Sequence, residues 1–417
     1  MEHLPSCLDD HVAADHPVRA LWAVIEGLDL GAMEGPIGSN RRQGGRPASD
    51  PHVLLALWVY GISQGEGQAS RIAALAETDD VYRWVRGRVP AGERKLADFR
   101  ARHGQAFDGL LTQVITVLLE EDLVDVSRMA QDGTRVRAWA GTGSFKRLPT
   151  LAQAHEAARL HVVAVLAETH DPAHRTVVQA AVERGARERL ERIERAQQRV
   201  RALAEARGVA PSAHEDSKKA PRASITDPEA TVMKMGDGGF RPAFNVQFGT
   251  AADDSGVVLG VDVTLRGSDQ GELTAMREQV QARTGQPVAE HLADAGYAQH
   301  EEITRSAQAG TLVMAPLPKK RAKPEGRRAQ EQPEEVRAWQ ERMESEAGKE
   351  SYRDRSRVAE LTNARAKTQC GLNELRVRGR KAVLTCAILV GLTINIERLI
   401  SLRSASVADV TNVTATK

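Results

Sequence analysis

The 417-residue chain is poor in the features that mark several protein classes. Its three cysteines, Cys7, Cys370 and Cys386, are too few and too scattered for a disulfide framework or a thiolate zinc site, which suits a reducing cytosol. Aromatic residues make up 4%, so a stacking platform for single-stranded nucleic acid is disfavoured. Charge of one sign is missing too: 57 Lys and Arg face 56 Asp and Glu, a net charge of +1. Any affinity for nucleic acid must therefore come from local basic patches. The first ten residues lack the basic and apolar regions of a signal peptide. The longest mostly apolar run, Ala382 to Ile396, falls short of the ~20 residues that span a bilayer and is interrupted by Thr385, Thr393 and Asn395. It reads as a buried helix of a soluble protein with no membrane partner.

What is present is ordinary globular composition, 41% hydrophobic and 27% charged. Residues 1–126 read as a helical domain, with apolar positions at helical spacing in Val18–Ile25, Val53–Tyr60 and Leu96–Leu123. Asp50 before Pro51 has the pattern of an N-cap followed by proline at the first helical position. Residues 127–150 hold a strand, Asp132–Trp139. Residues 151–223 read as a helical insertion and linker, with Leu160, Val163, Leu166, Ile193, Ala196, Val200 and Leu203 at heptad-like spacing and Asp171-Pro172 as a divider. In 224–402 the order becomes strand, strand, helix, strand, helix, strand and then helix, with 318–350 a charged connection and 403–417 a flexible tail. Two consecutive strands suggest a hairpin and the later crossovers parallel pairing, so the class is α/β with a mixed sheet.

Three carboxylates stand out. Asp132 opens a strand, Asp294 lies just past the end of another, and ligands of open α/β sheets collect outside strand ends. Glu360 lies on a helix where Arg353, Arg357, Glu360, Asn363 and Lys367 fall on one face. Mg²⁺ is held by a few carboxylates together with phosphate oxygens and water, so these three suit one or two Mg²⁺ ions, and two ions serve in-line phosphoryl displacement.

These segments resemble a family, the bacterial insertion-sequence transposases of the DDE class. The N-terminal part is similar through Asp15-His-Pro-Val-Arg19, Gly45-Arg-Pro47, Leu57-Trp-Val-Tyr-Gly61 and Ala97-Asp-Phe-Arg100. Asp132-Gly-Thr-Arg-Val-Arg-Ala138, Thr226-Asp-Pro-Glu-Ala230, Phe244-Asn-Val-Gln247 and Ala293-Asp-Ala-Gly-Tyr297 resemble successive catalytic segments. The helix around Glu360 resembles the Tyr-Arg-Glu-Lys signature through Tyr352, Arg355, Glu360 and Lys367, with one extra residue between Arg355 and Glu360. Arg378-Gly-Arg-Lys-Ala382 and Asn395-Ile-Glu-Arg398 resemble the C-terminal end.

The resemblance implies an RNase H-like domain with a five-stranded mixed sheet flanked by helices, an all-α N-terminal DNA-binding domain and a helical insertion after the first strand. It implies Asp132, Asp294 and Glu360 as catalytic metal ligands for two Mg²⁺ ions, with Mn²⁺ as substitute. The partners implied are double-stranded DNA, both terminal repeats and target, and a second copy in a synaptic homodimer, in a nucleoid-associated cytoplasmic protein. Phosphate contacts are expected from Arg41, Arg42 and Arg46, from Lys319, Lys320 and Arg321, from Arg376, Arg378, Arg380 and Lys381, and near the metals from Arg357 and Lys367. The activity implied is metal-dependent cleavage at transposon ends and strand transfer into target DNA. An RNase H-like nuclease without strand transfer and an inactive DNA-binding descendant stay open as alternatives.

Overall fold

The computed structural model describes residues 7–33, 50–168, 176–208, 220–317 and 332–415. The N-terminal part is helical: α1 Pro17–Glu26, α2 Pro51–Ser63, α3 Ala69–Thr78, α4 Asp80–Arg86, α5 Glu93–Arg102 and α6 Gly104–Glu120. Asp50 caps α2 by accepting from the His52 N–H at 2.8 Å, with Pro51 at the first helical position. Every residue of α2 from Val53 to Ile62 is buried, so this helix has no solvent face and forms the axis of the group. Leu96–Leu123 is two helices, broken at His103, whose φ/ψ of −104°/21° leaves the helical region.

After this group come β1 Arg128–Arg137, β2 Phe145–Lys146, α7 Leu148–Glu168, α8 Val177–Ala206, β3 Ala223–Ser224, β4 Thr231–Lys234, β5 Phe240–Ala251 and β6 Val258–Thr264. The chain continues with α9 Leu273–Thr284, β7 Glu290–Leu292, α10 His300–Gln308, β8 Leu312–Met314, α11 Glu334–Glu344 and α12 Glu346–Arg355. A π-helical turn, Ser356–Glu360, joins α12 to α13 Leu361–Thr368, and α14 Arg380–Ala415 ends the described chain.

β1 is central in the sheet. It pairs antiparallel with β5 on one side and parallel with β7 on the other; β8 extends β7 in parallel, and β6 and β4 share the far edge of β5. This mixed α/β arrangement is compatible with an RNase H-like fold. Among the described residues the sheet has six strands, not the expected five. The extra strand, β4, returns to β5 through a turn closed by Met235 N–H on Gly239 O at 2.7 Å, with Gly238 at φ +83°. Three glycines in so short a span read as loop in sequence.

Successive residues of β1 face opposite sides of the sheet. Met129 joins a core made with the N-terminal helices and α14, whereas Ala130 joins a second core containing Trp339 of α11. The stretch 318–350, expected as a connection, contains α11 and the start of α12. Val336, Trp339 and Met343 form a buried helical stripe among the charges, and Trp339 Nε1 donates to Ala315 O at 3.2 Å.

The insertion is a pair of packed helices, α7 and α8, closed at its base by the β2–β3 pair. Leu160, Val163 and Leu166, expected as its apolar seam on α7, are exposed; the buried positions are Leu151, Ala158 and Val165. On α8 the expected Ile193, Ala196 and Val200 are buried. Helix α14 packs on α6, α2 and β6 and so ties the N-terminal helices to the sheet. Its segment Arg380–Ser406 is long and apolar enough to cross a membrane, unlike the shorter run read from sequence, yet 78% of its most apolar window is buried inside the protein. Its polar interruptions have partners: Asn395 pairs with both backbone groups of Val258 at 2.8 Å, and Thr393 donates to Leu389 O. The helix runs on through the expected tail as far as Ala415.

Candidate active site

Asp132 sits in the middle of β1, opposite Phe248 of β5. Asp294 follows β7, the strand parallel to β1, in a turn closed by Tyr297 N–H on Asp294 O. Asp294 lies just past the end of β7, as expected, whereas Asp132, expected to open a strand, stands inside β1, because Met129–Gln131 before it already pair with β5. Glu360 closes the π-helical turn. The three meet at one side chain, Arg355: its Nη2 is 3.0 Å from Asp132 Oδ1, and its Nη1 is 3.0 Å from Asp294 Oδ1 and 3.9 Å from Glu360 Oε1. Arg355 is buried, 6% exposed, while Asp294 and Glu360 open to solvent.

The π-helical turn explains how the extra residue of the signature is absorbed. A π turn closes i to i+5 instead of i to i+4, so it takes up one added residue without breaking the helix. Tyr352 and Arg355 before the turn and Glu360 and Asn363 after it come to one place: Tyr352 Oη is 3.5 Å from Asp294 Oδ1, and Asn363 Nδ2 donates to Asp132 Oδ2 at 2.9 Å. A straight helix had been expected to align Arg353 and Arg357 with Glu360. Arg357 instead pairs with Asp254 at 2.7 Å, and Arg353 pairs with Glu350. The phase shift at the turn exchanges them for Arg355.

Burial pushes the Asp132 carboxyl above its ordinary range; the Arg355 guanidinium opposes this and the Asp294 charge adds to it. A polar layer backs the site. Gln247 accepts from Gln131 Nε2 at 3.1 Å and from the Tyr297 hydroxyl, and donates to Asp269 Oδ1 at 2.9 Å. Asn245 also donates to Asp269 Oδ1, at 2.7 Å. Burial, then the charges of Asp269 and Asp132, hold the Tyr297 phenol well above its usual range, so it stays protonated. Asn245, Gln247 and Asp269 had not been singled out; their signal was alternation in β5 plus a carboxylate opening the next helical segment.

The basic residues divide. Lys367 is half-buried, and burial together with Arg135 lowers its pKa while Asp132 raises it. It lines a cavity of about 670 Å³ with Arg71, Gly371, Asn373 and Arg376. Asn373 and Arg376 also line a second cavity of about 760 Å³ with Arg137, Arg241, Arg378 and Trp139. The Arg376 guanidinium lies over the exposed Trp139 ring, 5.4 Å from its centroid, within the ~6 Å reach of a cation–π contact. The two cavities meet at Asn373 and Arg376, so an arginine-bearing surface leads away from Lys367, partly neutralised where Glu66 pairs with Arg71 and Asp237 with Arg241. Lys381 is exposed. Arg380 is committed elsewhere: it donates to Asp262 Oδ1 at 2.6 Å and to Val263 O, and its backbone N–H meets Glu229 Oε2. Asp227 accepts the neighbouring Gly379 N–H at 3.0 Å. The Thr226–Ala230 motif thus anchors the start of α14. Arg41, Arg42, Arg46, Lys319, Lys320 and Arg321 lie outside the described residues.

Among the described residues, no three His, Cys, Asp or Glu side chains stand close enough to hold one metal ion as they are. The chemistry of the donor set nevertheless fits a hard divalent cation: three carboxylates, plus the buried Asn363 Oδ1, which has no hydrogen-bond partner.

Residues 318–400 match the family described as Transposase DDE domain. This match supports a DDE-class transposase. It takes in Arg355, Glu360, Lys367 and the Arg376–Lys381 segment, and does not reach Asp132 or Asp294. Neither the curated proteins nor the solved structures contain a match. A transposase domain implies DNA as substrate.

Proposed function

We propose that this chain cleaves DNA at the ends of a mobile element and joins the freed ends to target DNA. The observation that carries this reading is the convergence of Asp132, Asp294 and Glu360 on the single buried guanidinium of Arg355. Asp132, Asp294 and Glu360 would hold divalent ions, Mg²⁺ or in its place Mn²⁺. When bound, these supply Lewis-acid stabilisation of the attacking and leaving oxygens.

The chain's own residues do the rest. Asn363 fixes the Asp132 carboxylate through its amide hydrogen bond, and Tyr352 does the same at longer range for Asp294. Lys367 offers positive charge beside the carboxylates, and Arg376 and Arg378 continue it along the surface where flanking duplex would lie. Hydrolysis at the element end leaves a 3′-hydroxyl, and that hydroxyl displaces a target 3′-oxygen at phosphorus, with no covalent protein–DNA intermediate. Two ends require two sites, which favours a homodimer in the joined complex.

Asp294→Asn removes one charge from an exposed side chain and leaves the surface basic residues untouched. Mg²⁺-dependent end cleavage should fall at least about 100-fold, beyond the usual cost of losing a hydrogen bond that only orients a metal ligand, while duplex binding in a gel-shift assay stays within about twofold, as befits binding set mainly by phosphate contacts. Full cleavage by this variant would remove Asp294 from the site. Integration of a labelled end into plasmid separates this reading from a nuclease that cuts without joining.

A further inference from the structure

Arg355 has an unusual environment. It is more than nine-tenths buried, it faces three carboxylates, and yet its Nε and Nη2 make no hydrogen bond among the described residues. The charges attract, but the guanidinium's fork of donors is unmatched. A paired fork is what makes an arginine contact strong and directional, and a buried ion that is neutralised without full hydrogen bonding is held less firmly than its proximity suggests. Asp294 and Glu360 are exposed, so the cluster has a mouth through which another anion can approach.

We propose that Arg355 is an exchangeable counterion: it neutralises Asp132, Asp294 and Glu360 in the metal-free protein, competes with divalent ions for them, and is drawn off by a phosphate of bound DNA. This rests on the carboxylate site of the preceding section. The competition follows from electrostatics. The oxygens a divalent ion needs lie 3.0 Å from guanidinium nitrogens, and two cations sharing a partly buried site repel strongly. The exchange follows from donor geometry: a phosphate offers several oxygens to the fork that the scattered carboxylates leave unpaired. Metal and DNA then bind cooperatively, and the coupling is reciprocal. Arg355 is in this sense a positioning residue, gating the metal site without acting on the scissile bond itself.

The test uses the full chain and Mn²⁺ as probe, titrated calorimetrically with and without a generic duplex at low salt, corrected for Mn²⁺ uptake by the duplex alone. Without DNA, Arg355→Gln should bind Mn²⁺ about tenfold or more tighter than wild type, within the usual range of coupling between sites. Adding duplex should tighten wild-type Mn²⁺ binding by a similar factor and leave the variant unchanged. A merely structural Arg355 predicts the reverse, since its loss would loosen the carboxylates. Equal or weaker Mn²⁺ binding by folded Arg355→Gln overturns the proposal. If that variant does not fold, wild-type Mn²⁺ affinity decides alone, and indifference to duplex overturns it. Failure of the underlying site has a separate signature: Asp132→Asn would bind Mn²⁺ as wild type does.

Discussion

Asp132 is followed by a glycine in the middle of a strand, where glycine ordinarily weakens pairing. The cause is close approach. A Cβ on Gly133 would lie 2.4 Å from both Asp269 Oδ1 and Gln247 Nε2 and 2.7 Å from Asn245 Oδ1. These atoms belong to the hydrogen-bonded layer behind the site, so none of them can swing aside without unpairing another. Gly133→Ala should therefore cost about 1–3 kcal/mol, the usual toll of overpacking, seen as a lower urea midpoint. It should also depress end cleavage, because the Gly133 N–H donates to Asp132 Oδ1. An unchanged midpoint would mean that the layer yields freely. Asp132 itself was legible through its Asp-Gly-Thr-Arg-Val-Arg-Ala motif, although the strand begins four residues earlier than read, at Arg128; the need for glycine beside it was not, because the crowding comes from residues more than a hundred positions away.

At the scale of elements, the π-helical turn decides which arginine serves the site. Helical spacing read from sequence assumed 3.6 residues per turn throughout and so favoured Arg357, although the one residue by which the chain exceeds the signature falls within this turn, Ser356–Glu360. Deleting Arg357 should convert the turn to regular helix and leave Arg355 and Glu360 four apart, still on one face. Such a deletion should keep the fold and retain end cleavage within about tenfold, because the shared face that orients the groups is preserved. Inserting an alanine after Ser356 should instead turn Glu360 by roughly 100° and abolish cleavage. Equal activity of the two variants would show that the turn does not set the phase. Element types were otherwise readable where apolar periodicity was long, as in α2 and α6. They were hidden where burial rested on three residues among charges, as in α11, or on a short hairpin strand, as in β4. On α7 the apolar residues at Leu160, Val163 and Leu166 gave the correct helix and the wrong face, since small Ala158 supplies the seam.

For the whole molecule, stability against acid depends on groups buried in one protonation state. Burial raises the carboxyls of Asp132, Asp227, Glu272 and Glu397. Each of these contributes stability that is present below its unfolded pKa and lost as pH rises through the folded value. His291 works in the opposite sense. It lies in β7, wholly buried with neither ring nitrogen hydrogen-bonded among the described residues, and burial, aided by the Arg277 charge, lowers its pKa to about 3. The folded protein keeps this imidazole neutral, while the unfolded chain protonates it near pH 6.5. Its contribution is thus full above 6.5 and drains away as pH falls towards 3. Because the carboxylates and the histidine pull against each other, the wild-type profile alone hides the effect, and the informative quantity is the difference from His291→Leu. That variant removes two unpaired nitrogens from the core and should be at least as stable at pH 7. Between pH 7 and pH 5 the wild type should lose about 2 kcal/mol relative to it, one proton's worth of linkage at about 1.4 kcal/mol per pH unit below 6.5. Parallel urea melts at the two pH values measure this difference. Identical shifts for the two proteins would mean that the folded core accepts a protonated His291, and that Arg277 or a neighbouring acid moves to accommodate it.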